Sequence, residues 1–221
     1  MYKLEDIVNK VHCVDCLEFM KLLPDKSIDL ILTDPPYGIN IGNAIKPYGI
    51  VSSPSTRRRR EQLDWDKTRP TKDIFIEMFR ISKHTIVFGG NYFIDYLYPT
   101  NCYIVWDKRG NLPEGPFMDM ELAWTNFTKK AKKYLCVNHG FIRDSKEAIG
   151  LHPTQKPMKL IKEIINDFSA ETDLILDPFL GSGTTAIACA DLGRRFIGIE
   201  ISEKYCEIAR QRLRNRTQNL F

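Results

Sequence analysis

The chain has 221 residues, of which 43% are hydrophobic and 27% charged. These values are typical of a globular protein and exclude a wholly disordered or fibrous chain, and the length fits one domain over residues 1–221. The net charge of +4 is compatible with a nucleic-acid partner, but many proteins with a mild basic bias bind no anion.

Six cysteines are spread along the chain, at positions 13, 16, 102, 136, 189 and 206. Only Cys13 and Cys16 are close in sequence, and no second pair stands at ligand spacing, so we expect no metal site. The first residues are polar and no apolar run is long enough to cross a bilayer, so we expect neither a secretory leader nor a membrane span. Free thiols and these absences predict a cytoplasmic location.

Apolar runs of strand length alternate with amphipathic runs of helix length. The pattern predicts strands at 11–14, 28–33, 84–88, 102–106, 121–125, 174–176 and 196–199, and helices at 16–23, 73–82, 92–97, 157–165 and 184–191, with a terminal helix that ends at about 214. Such alternation is typical of an α/β fold with helices on both faces of a largely parallel sheet.

Two stretches fit neither pattern. Residues 41–70 are rich in Gly, Pro and Ser and contain the run Arg57, Arg58, Arg59 and Arg60, which predicts a mobile basic loop. Residues 127–150 are irregular and basic, with Lys129, Lys130, Lys132 and Lys133. Either cluster can be a solvated surface or a phosphate-binding one.

A glycine-containing loop, Asp177–Thr185, joins the strand at 174–176 to the following helix. Its two glycines allow a sharp turn and close approach of a ligand to main-chain amides, although a lone Gly-x-Gly also occurs in ordinary tight connections. Glu200 ends the next strand, where a carboxylate can accept from ribose hydroxyls. The dinucleotide and phosphate-loop fingerprints are absent, which favours an adenosine-type ligand without a pyrophosphate.

The sequence Asp34-Pro35-Pro36-Tyr37 directly follows the strand at 28–33. Two prolines end the strand, so Asp34 lies at its carboxyl end, where open α/β sheets bind ligands. The Asp34 carboxylate and the Pro35 carbonyl can both accept hydrogen bonds from an amino group, and the Tyr37 ring can stack on a planar base. A strand-ending turn capped by aspartate is the alternative interpretation of these four residues.

Three segments together resemble the DNA amino-methyltransferase family: residues 33–38, His152-Pro153-Thr154-Gln155-Lys156-Pro157, and 177–185. Their order, with Asp-Pro-Pro-Tyr N-terminal to the glycine loop, is similar to the beta class of that family. The resemblance implies a Rossmann-like S-adenosylmethionine-dependent methyltransferase fold, with a seven-stranded, mostly parallel sheet and circularly permuted motif order.

The same resemblance implies a set of site residues. The catalytic residues would be Asp34, Pro35, Pro36 and Tyr37. S-adenosylmethionine would be bound by Asp15, Cys16, Asp34, Thr154, Lys156, Asp177, Phe179, Gly181, Ser182, Gly183, Thr184 and Glu200. The partner would be double-stranded DNA, contacted by Arg57 to Arg60 and by the four lysines of 127–150, the candidate target-recognition segment. Beta-class relatives also imply a possible homodimer, and a prokaryotic cell or a phage-infected host as the place of the protein.

Aspartate at position 34 favours the N6 amino group of adenine as the methylated group. Cytosine N4 stays open as an alternative, because it presents the same kind of amino group, and so does a catalytically inactive DNA-binding module. A glutamine or RNA methyltransferase is less consistent with the sequence, since those proteins typically carry Asn where this chain has Asp34. No nuclease or helicase motif is evident, so we expect any restriction partner to be a separate protein.

Overall fold

The computed structural model describes residues 3–39, 66, 68–113, 118–139, 142–143 and 155–218. Its helices are α1 (Leu4–Ile7), α2 (Cys16–Met20), α3 (Lys72–Ile81), α4 (Met158–Phe168), α5 (Thr184–Asp191) and α6 (Glu203–Gln218). Its strands are β1 (Lys10–Cys13), β2 (Ile28–Thr33), β3 (Ser82–Phe88), β4 (Tyr103–Asp107), β5 (Met120–Thr125), β6 (Lys132–Leu135), β7 (Asn138–His139), β8 (Ile142–Arg143), β9 (Leu174–Asp177) and β10 (Arg195–Glu200).

Eight of these strands form one sheet in the order β1-β10-β9-β2-β3-β5-β4-β6. Only β5 runs antiparallel to its neighbours β3 and β4, while all other adjacent strands are parallel. The predicted α/β class and mostly parallel sheet are therefore confirmed. The first strand lies beside the last, as the permuted order implies.

The sheet differs from the prediction in strand number, because β6 adds an eighth strand where an irregular segment was expected. β6 carries exposed Lys132, Lys133 and Leu135 and buries only Tyr134, so its sequence lacks a clear apolar alternation. Lysines on an edge strand discourage pairing with another chain. Their presence on β6 explains why its sequence shows no alternation of apolar and polar residues. A short hairpin of β7 and β8 follows it.

The predicted helix at 92–97 was also wrong. The chain forms a 3₁₀ turn at Gly90–Tyr92 instead, followed by a single turn closed by amides of Tyr96 and Leu97 on the carbonyl of Phe93. Pro99 follows two residues later and prevents the turn from continuing as a helix.

Helices cover the two faces of the sheet and form two apolar cores. On one face, α2 and α3 bury Phe19, Met20, Phe75 and Met78 against strand residues such as Ile31. On the other face, α4, α5 and α6 pack against Leu30, Leu32 and Ile86. Alternate residues of β2 enter different cores because successive side chains of a strand point to opposite faces.

The sheet reverses its winding direction between β9 and β2, which are adjacent although β2 ends at Thr33 and β9 begins only at Leu174. Asp34 follows β2, Asp177 ends β9 and Glu200 ends β10, so the three carboxylates share the carboxyl edge of the sheet. This is the position where open α/β sheets bind their ligands.

Candidate active site

The corner at residues 34–37 is closed by hydrogen bonds around Asp34. The Tyr37 hydroxyl donates to Asp34 Oδ1 at 2.6 Å, and Lys156 Nζ donates to Asp34 Oδ2. Lys156 lies two residues before α4, which begins at Met158 after the N-cap Pro157, and only 9% of its side chain is exposed. The structure therefore brings together the first and second of the three motifs that the sequence singled out.

Glu121 is a member of this corner that the site prediction missed. Its Oε1 lies 2.9 Å from the Tyr37 hydroxyl and 3.0 Å from Lys156 Nζ, and its Oε2 lies 2.5 Å from Lys108 Nζ. Because β5 is antiparallel, residues at its beginning reach the edge where the other strands end. A carboxylate within an otherwise apolar run, Glu121–Trp124, was the available signal.

The corner contains two carboxylates and two ammonium groups that are largely withdrawn from water. Desolvation raises the pKa of Asp34, more than its contact with Lys156 lowers it. Desolvation also raises the pKa of Glu121, but Lys156 and Lys108 outweigh it and lower that pKa to about 2. Burial and the neighbouring Asp34 and Glu121 carboxylates hold the Tyr37 pKa well above its usual range. Glu121 is thus ionised and Tyr37 protonated at neutral pH.

Packing fixes the orientation of the Tyr37 ring. It stacks on Tyr92 with centroids 4.7 Å apart and planes 15° apart, and Phe93 meets it edge-on. The Tyr37 ring also lies against Gly89, where an added Cβ would stand 2.2 Å from a ring carbon. One face of the ring is therefore occupied by protein. In the same motif, Pro35 is buried and Pro36 is half-buried.

The glycine loop after β9 is organised by two carboxylates. Glu200 accepts from the amide of Gly181 at 2.8 Å and from that of Ser202 at 2.9 Å. Asp177, only 5% exposed, accepts from the Thr33 hydroxyl at 2.9 Å and from the Phe179 amide at 3.1 Å. Burial raises the pKa of Asp177 to about 6.

The two glycines of this loop have different roles. Gly181 and Gly183 both have positive φ, but a Cβ at Gly183 would lie 2.8 Å from Ala209 Cβ in α6. Gly183 therefore permits close packing of helices, and only Gly181 lies beside the Glu200 carboxylate. Ser182 and Thr184 are buried, and the Ser182 hydroxyl donates to Gln155 at 3.2 Å, which joins the loop to the Lys156 segment.

Asp15 and Cys16 lie at the start of α2, beside the end of β10. The Val14 amide donates to the Glu200 carbonyl at 3.1 Å, and Asp15 caps α2 by accepting from the Glu18 amide at 3.0 Å. Burial and the Asp15 carboxylate raise the pKa of Cys16 to about 12. A thiol that stays protonated is a poor nucleophile, so Cys16 is suited to packing and not to covalent catalysis.

Comparison with known proteins decides the family. A family model described as DNA methylase, for N6 and N4 methyltransferases, matches residues 28–211. The chain belongs to this family of DNA amino-methyltransferases. The type II methyltransferase M.HinfI of Haemophilus influenzae is 30% identical over 96% of this chain and 70% of that protein. M2.DpnII of Streptococcus pneumoniae is 36% identical over 68% of this chain, which spans about half, 49%, of its length.

Solved structures show the same fold at lower identity. The M1.HpyAVI complex with S-adenosylmethionine matches with a TM-score of 0.58 and 24% identity, over 92% of this chain and 98% of that one. A DNA modification methylase of Thermus thermophilus, complexed with S-adenosyl-L-methionine, matches with a TM-score of 0.57 and 19% identity, over 93% and 95%. S-adenosylmethionine is the cofactor of this methyltransferase.

The donor set at the carboxyl edge fits that cofactor. Glu200 and Asp15 offer carboxylate oxygens for hydroxyl and amino groups, while Asp177 and Asp34 place negative charge where a cationic ligand gains from it. Gly181 leaves its backbone open to close approach in a positive-φ turn. The roles of the individual residues, Phe179 and Thr184 included, stay predictions.

The predicted DNA-contacting residues are not all brought to this edge. Lys132 lies opposite Ile104 near the beginning of β4 and pairs with Asp167 near the end of α4, and Lys129 donates to the Asp167 carbonyl at 3.0 Å. Both therefore lie at the amino edge, which for strands of this length is about 15 Å along the strand direction from the carboxyl edge. Lys130 is exposed nearby, and Lys133 pairs with Asp107 at 3.0 Å, closer to the corner.

The residues Arg57, Arg58, Arg59, Arg60 and Thr154 lie outside the described part of the chain, as does most of 41–70. None of the helices that the structure describes is long and apolar enough to span a membrane. Within the same described ranges, no group of three or more His, Cys, Asp or Glu residues is arranged to hold a metal ion.

Proposed function

We propose that this methyltransferase transfers the methyl group of S-adenosylmethionine to the N6 amino group of adenine in duplex DNA. The observation that carries the proposal is the Asp34 corner. Its carboxylate ends β2, adjacent to β9 and its glycine loop, and is fixed by Tyr37 and Lys156. An amino group bound there would lie next to the region that fits the cofactor.

The amino group of a paired base is not accessible inside a duplex, so the adenine must rotate out of the stack before it reacts. Asp34 and the Pro35 carbonyl would then accept hydrogen bonds from the two amino N–H groups, which turns the nitrogen lone pair toward the cofactor. The nitrogen would bond to the methyl carbon as the carbon–sulfur bond breaks, leaving S-adenosylhomocysteine, and the nitrogen would lose one proton. The cofactor supplies a methyl group on a positively charged sulfur. Holding the two reactants in line supplies much of the rate acceleration, because no separate nucleophile has to form.

Tyr37 would support the flipped base through the ring face that is not occupied by Tyr92. Base-aromatic stacking stabilises a bound base by about 1–3 kcal/mol. The fixed orientation of the ring, which stacks on Tyr92 and lies against Gly89, removes the entropy cost of ordering it on binding.

Methylation of cytosine N4 is the alternative that the corner allows, since Asp34 and Pro35 would accept from any exocyclic amino group. Asp34 in place of serine favours adenine. Methylation of cytosine C5 is inconsistent with the site, because it needs a reactive thiolate and the pKa of Cys16 is raised to about 12.

DNA would be held in part by the arginine run at 57–60. The Gly38 amide donates to Asp66 at 2.9 Å, so the two residues that flank the segment with the arginine run meet beside Tyr37. We place the target-recognition role in the part of 127–150 that follows β6, since the Asn138 amide donates to the carbonyl of Lys108, the partner of Glu121. We also propose a prokaryotic cytoplasmic location and a homodimer.

The test is to incubate the protein with labelled S-adenosylmethionine and unmethylated bacterial genomic DNA, and to identify the labelled nucleoside after hydrolysis. Asp34→Ala should abolish the label. Asp167→Ala is the matched control, because Asp167 also accepts from a lysine and a tyrosine hydroxyl, Lys132 and Tyr134, but at the opposite edge of the sheet.

Label in N6-methyladenine that is lost only in Asp34→Ala would support the target and the corner together. Label in N4-methylcytosine would overturn the choice of base and keep the role of Asp34. A fully active Asp34→Ala variant would contradict the role of the corner. Cofactor binding without any label in DNA would mean that the substrate is RNA or protein, whereas failure to bind the cofactor would support the inactive DNA-binding module.

A further inference from the structure

The two donors that bind Asp34 are shared with a second carboxylate. Tyr37 and Lys156 occupy both oxygens of Asp34, and the same hydroxyl and ammonium lie 2.9 Å and 3.0 Å from Oε1 of Glu121. Glu121 is 12% exposed, and its other oxygen is paired with Lys108. Each oxygen of Asp34 therefore already accepts a hydrogen bond from a buried donor, and an incoming amino group would compete with that donor for the oxygen.

The Tyr37 hydroxyl has one hydrogen but two carboxylate oxygens within reach. It can donate to only one of them at a time, whereas the ammonium of Lys156 has three hydrogens and can serve both carboxylates. A rotation of the Tyr37 O–H bond alone would move its hydrogen from Asp34 to Glu121. The ring, stacked on Tyr92, would not have to move.

An amino group that donates to Asp34 would displace Tyr37 as a donor, and a buried donor left unpaired is costly. Glu121 removes this cost because it already stands at hydrogen-bonding distance. We propose that Glu121 is a positioning residue of methyl transfer, which takes over the Tyr37 and Lys156 donors when the base occupies Asp34. The inference rests on the proposed role of Asp34 as the acceptor for the amino group.

Glu121 also affects the charge state of Asp34. The charged groups around Asp34 are Lys156 before α4, Glu121 on β5, Asp177 at the end of β9 and, behind Glu121, Lys108 after β4. The Glu121 carboxylate disfavours a second negative charge nearby. Removing its charge should lower the pKa of Asp34, so that Asp34 stays an acceptor at lower pH.

The experiment measures single-turnover methyl transfer from pH 5 to pH 9 for three variants. Glu121→Gln removes the charge at nearly constant shape, and Glu121→Asp keeps the charge but shortens the side chain. Glu77→Gln is the matched control, since Glu77 is 17% exposed and paired with Arg80 in α3, away from the corner. Melting temperature and the affinities for DNA and S-adenosylhomocysteine are measured alongside.

We expect Glu121→Gln to slow methyl transfer on the order of 10- to 100-fold, with both affinities within about twofold of the wild type. The acidic limb of the pH-rate profile of Glu121→Gln should move to lower pH. Glu121→Asp should also be slow but keep the wild-type limb, and Glu77→Gln should change neither. A purely structural role of Glu121 does not predict a shifted acidic limb in a variant that stays folded.

An unchanged rate and acidic limb in a folded Glu121→Gln protein would overturn the inference. So would a loss of activity explained entirely by a fall in melting temperature or affinity, with an unshifted limb, in both Glu121 variants. If Asp34→Ala is inactive while Glu121→Gln is fully active, the proposed function stands and only this inference fails. If Asp34→Ala is active, the proposed function itself fails.

Discussion

Lys156 separates two carboxylates that would otherwise face each other in a site with little water. Desolvation lowers its pKa, but Asp34 and Glu121 outweigh this and raise it, so the ammonium group is charged at neutral pH. The lysine thus sets the charge of the whole corner. Its removal would leave two buried carboxylates with only Lys108 to balance them.

We therefore predict that Lys156→Met lowers the free energy of unfolding by about 3–5 kcal/mol, the range for breaking a buried ion pair. Because Lys156 lowers the pKa of Asp34, its loss should move the acidic limb of methyl transfer to higher pH, the opposite of Glu121→Gln. Urea denaturation and a pH-rate profile check the two effects.

Lys162→Met is the matched control for this change, because Lys162, in the helix that follows Lys156, pairs with Asp191 but is 34% exposed. Its loss should cost less than about 1 kcal/mol, as for most exposed ion pairs. Equal destabilisation by the two substitutions would contradict the burial argument.

The sequence predicts much of the corner at this scale and misses one side chain. Asp34, Tyr37 and Lys156 are found because they lie within recognisable motifs. Glu121 lies in an apolar strand, and its contact with Tyr37 depends on β5 running opposite to its neighbours. Local pattern carries no information on strand direction, so this contact needed the three-dimensional structure.

At the scale of elements, the basic residues of the chain fall into two groups, the lysines on and near β6 and the arginine run at 57–60. We predict that Lys129→Ala with Lys132→Ala leaves DNA affinity and its salt dependence unchanged, since both lysines lie at the amino edge and contact Asp167. Replacing Arg57 to Arg60 with alanine should weaken binding, with a salt dependence shallower by about 0.9 for each phosphate that is no longer neutralised. Fluorescence anisotropy at several salt concentrations measures both.

A loss of affinity in the lysine variant equal to that in the arginine variant would return the DNA-binding role to the amino edge. The lysine variant lowers the net charge from +4 to +2 and the arginine variant lowers it to 0, so the affinity lost is compared for each charge removed, and the comparison holds only if both variants stay folded. The melting temperature of each variant supplies that check.

The contact of α5 with α6 depends on one glycine. Gly183→Ala would place a methyl group 2.8 Å from Ala209 Cβ at a φ of 92°. We predict a loss of about 2–3 kcal/mol in unfolding free energy, from overpacking and backbone strain together. Gly193→Ala isolates the strain, since its φ is 69° and no atom lies within 4 Å of the added carbon. It should cost about 1 kcal/mol, and equal losses would contradict a packing role for Gly183.

The sequence predicts the elements that have strong apolar periodicity and fails where other forces dominate. The strand at 28–33 and the helix at 184–191 match the structure residue for residue. β6 was missed because lysines hide its alternation. The helix predicted at 92–97 is a single turn after the 3₁₀ turn at Gly90–Tyr92, because Pro99 acts from beyond the segment.

For the whole molecule, the buried Asp177 carboxyl links stability to pH. Its folded pKa of about 6 lies above the ordinary value of 3.8, so the folded state binds the proton more tightly than the unfolded chain. The resulting stabilisation is present below about pH 4 and lost as the pH rises through 6. Two pKa units correspond to about 3 kcal/mol.

We predict that, without cofactor, the difference in unfolding free energy between wild type and Asp177→Asn changes by about 3 kcal/mol between pH 4 and pH 8, in favour of the variant at high pH. Asparagine keeps an oxygen for Thr33 and Phe179, so these bonds survive. Urea denaturation at the two pH values is the measurement, and a constant difference would contradict the raised pKa.

The adjacency of β9 and β2 also affects the order in which the protein can assemble during translation. β2 ends at residue 33 and β9 begins at residue 174, so a ribosome adding about 5–20 residues per second exposes the Asp34 strand on the order of 10 s before its neighbour exists. Until then β2 pairs only with β3, and the backbone groups of the edge that later pairs with β9 have no strand partner. A nascent chain therefore carries the catalytic corner long before it can bind cofactor, and this interval is when chaperones would be expected to act.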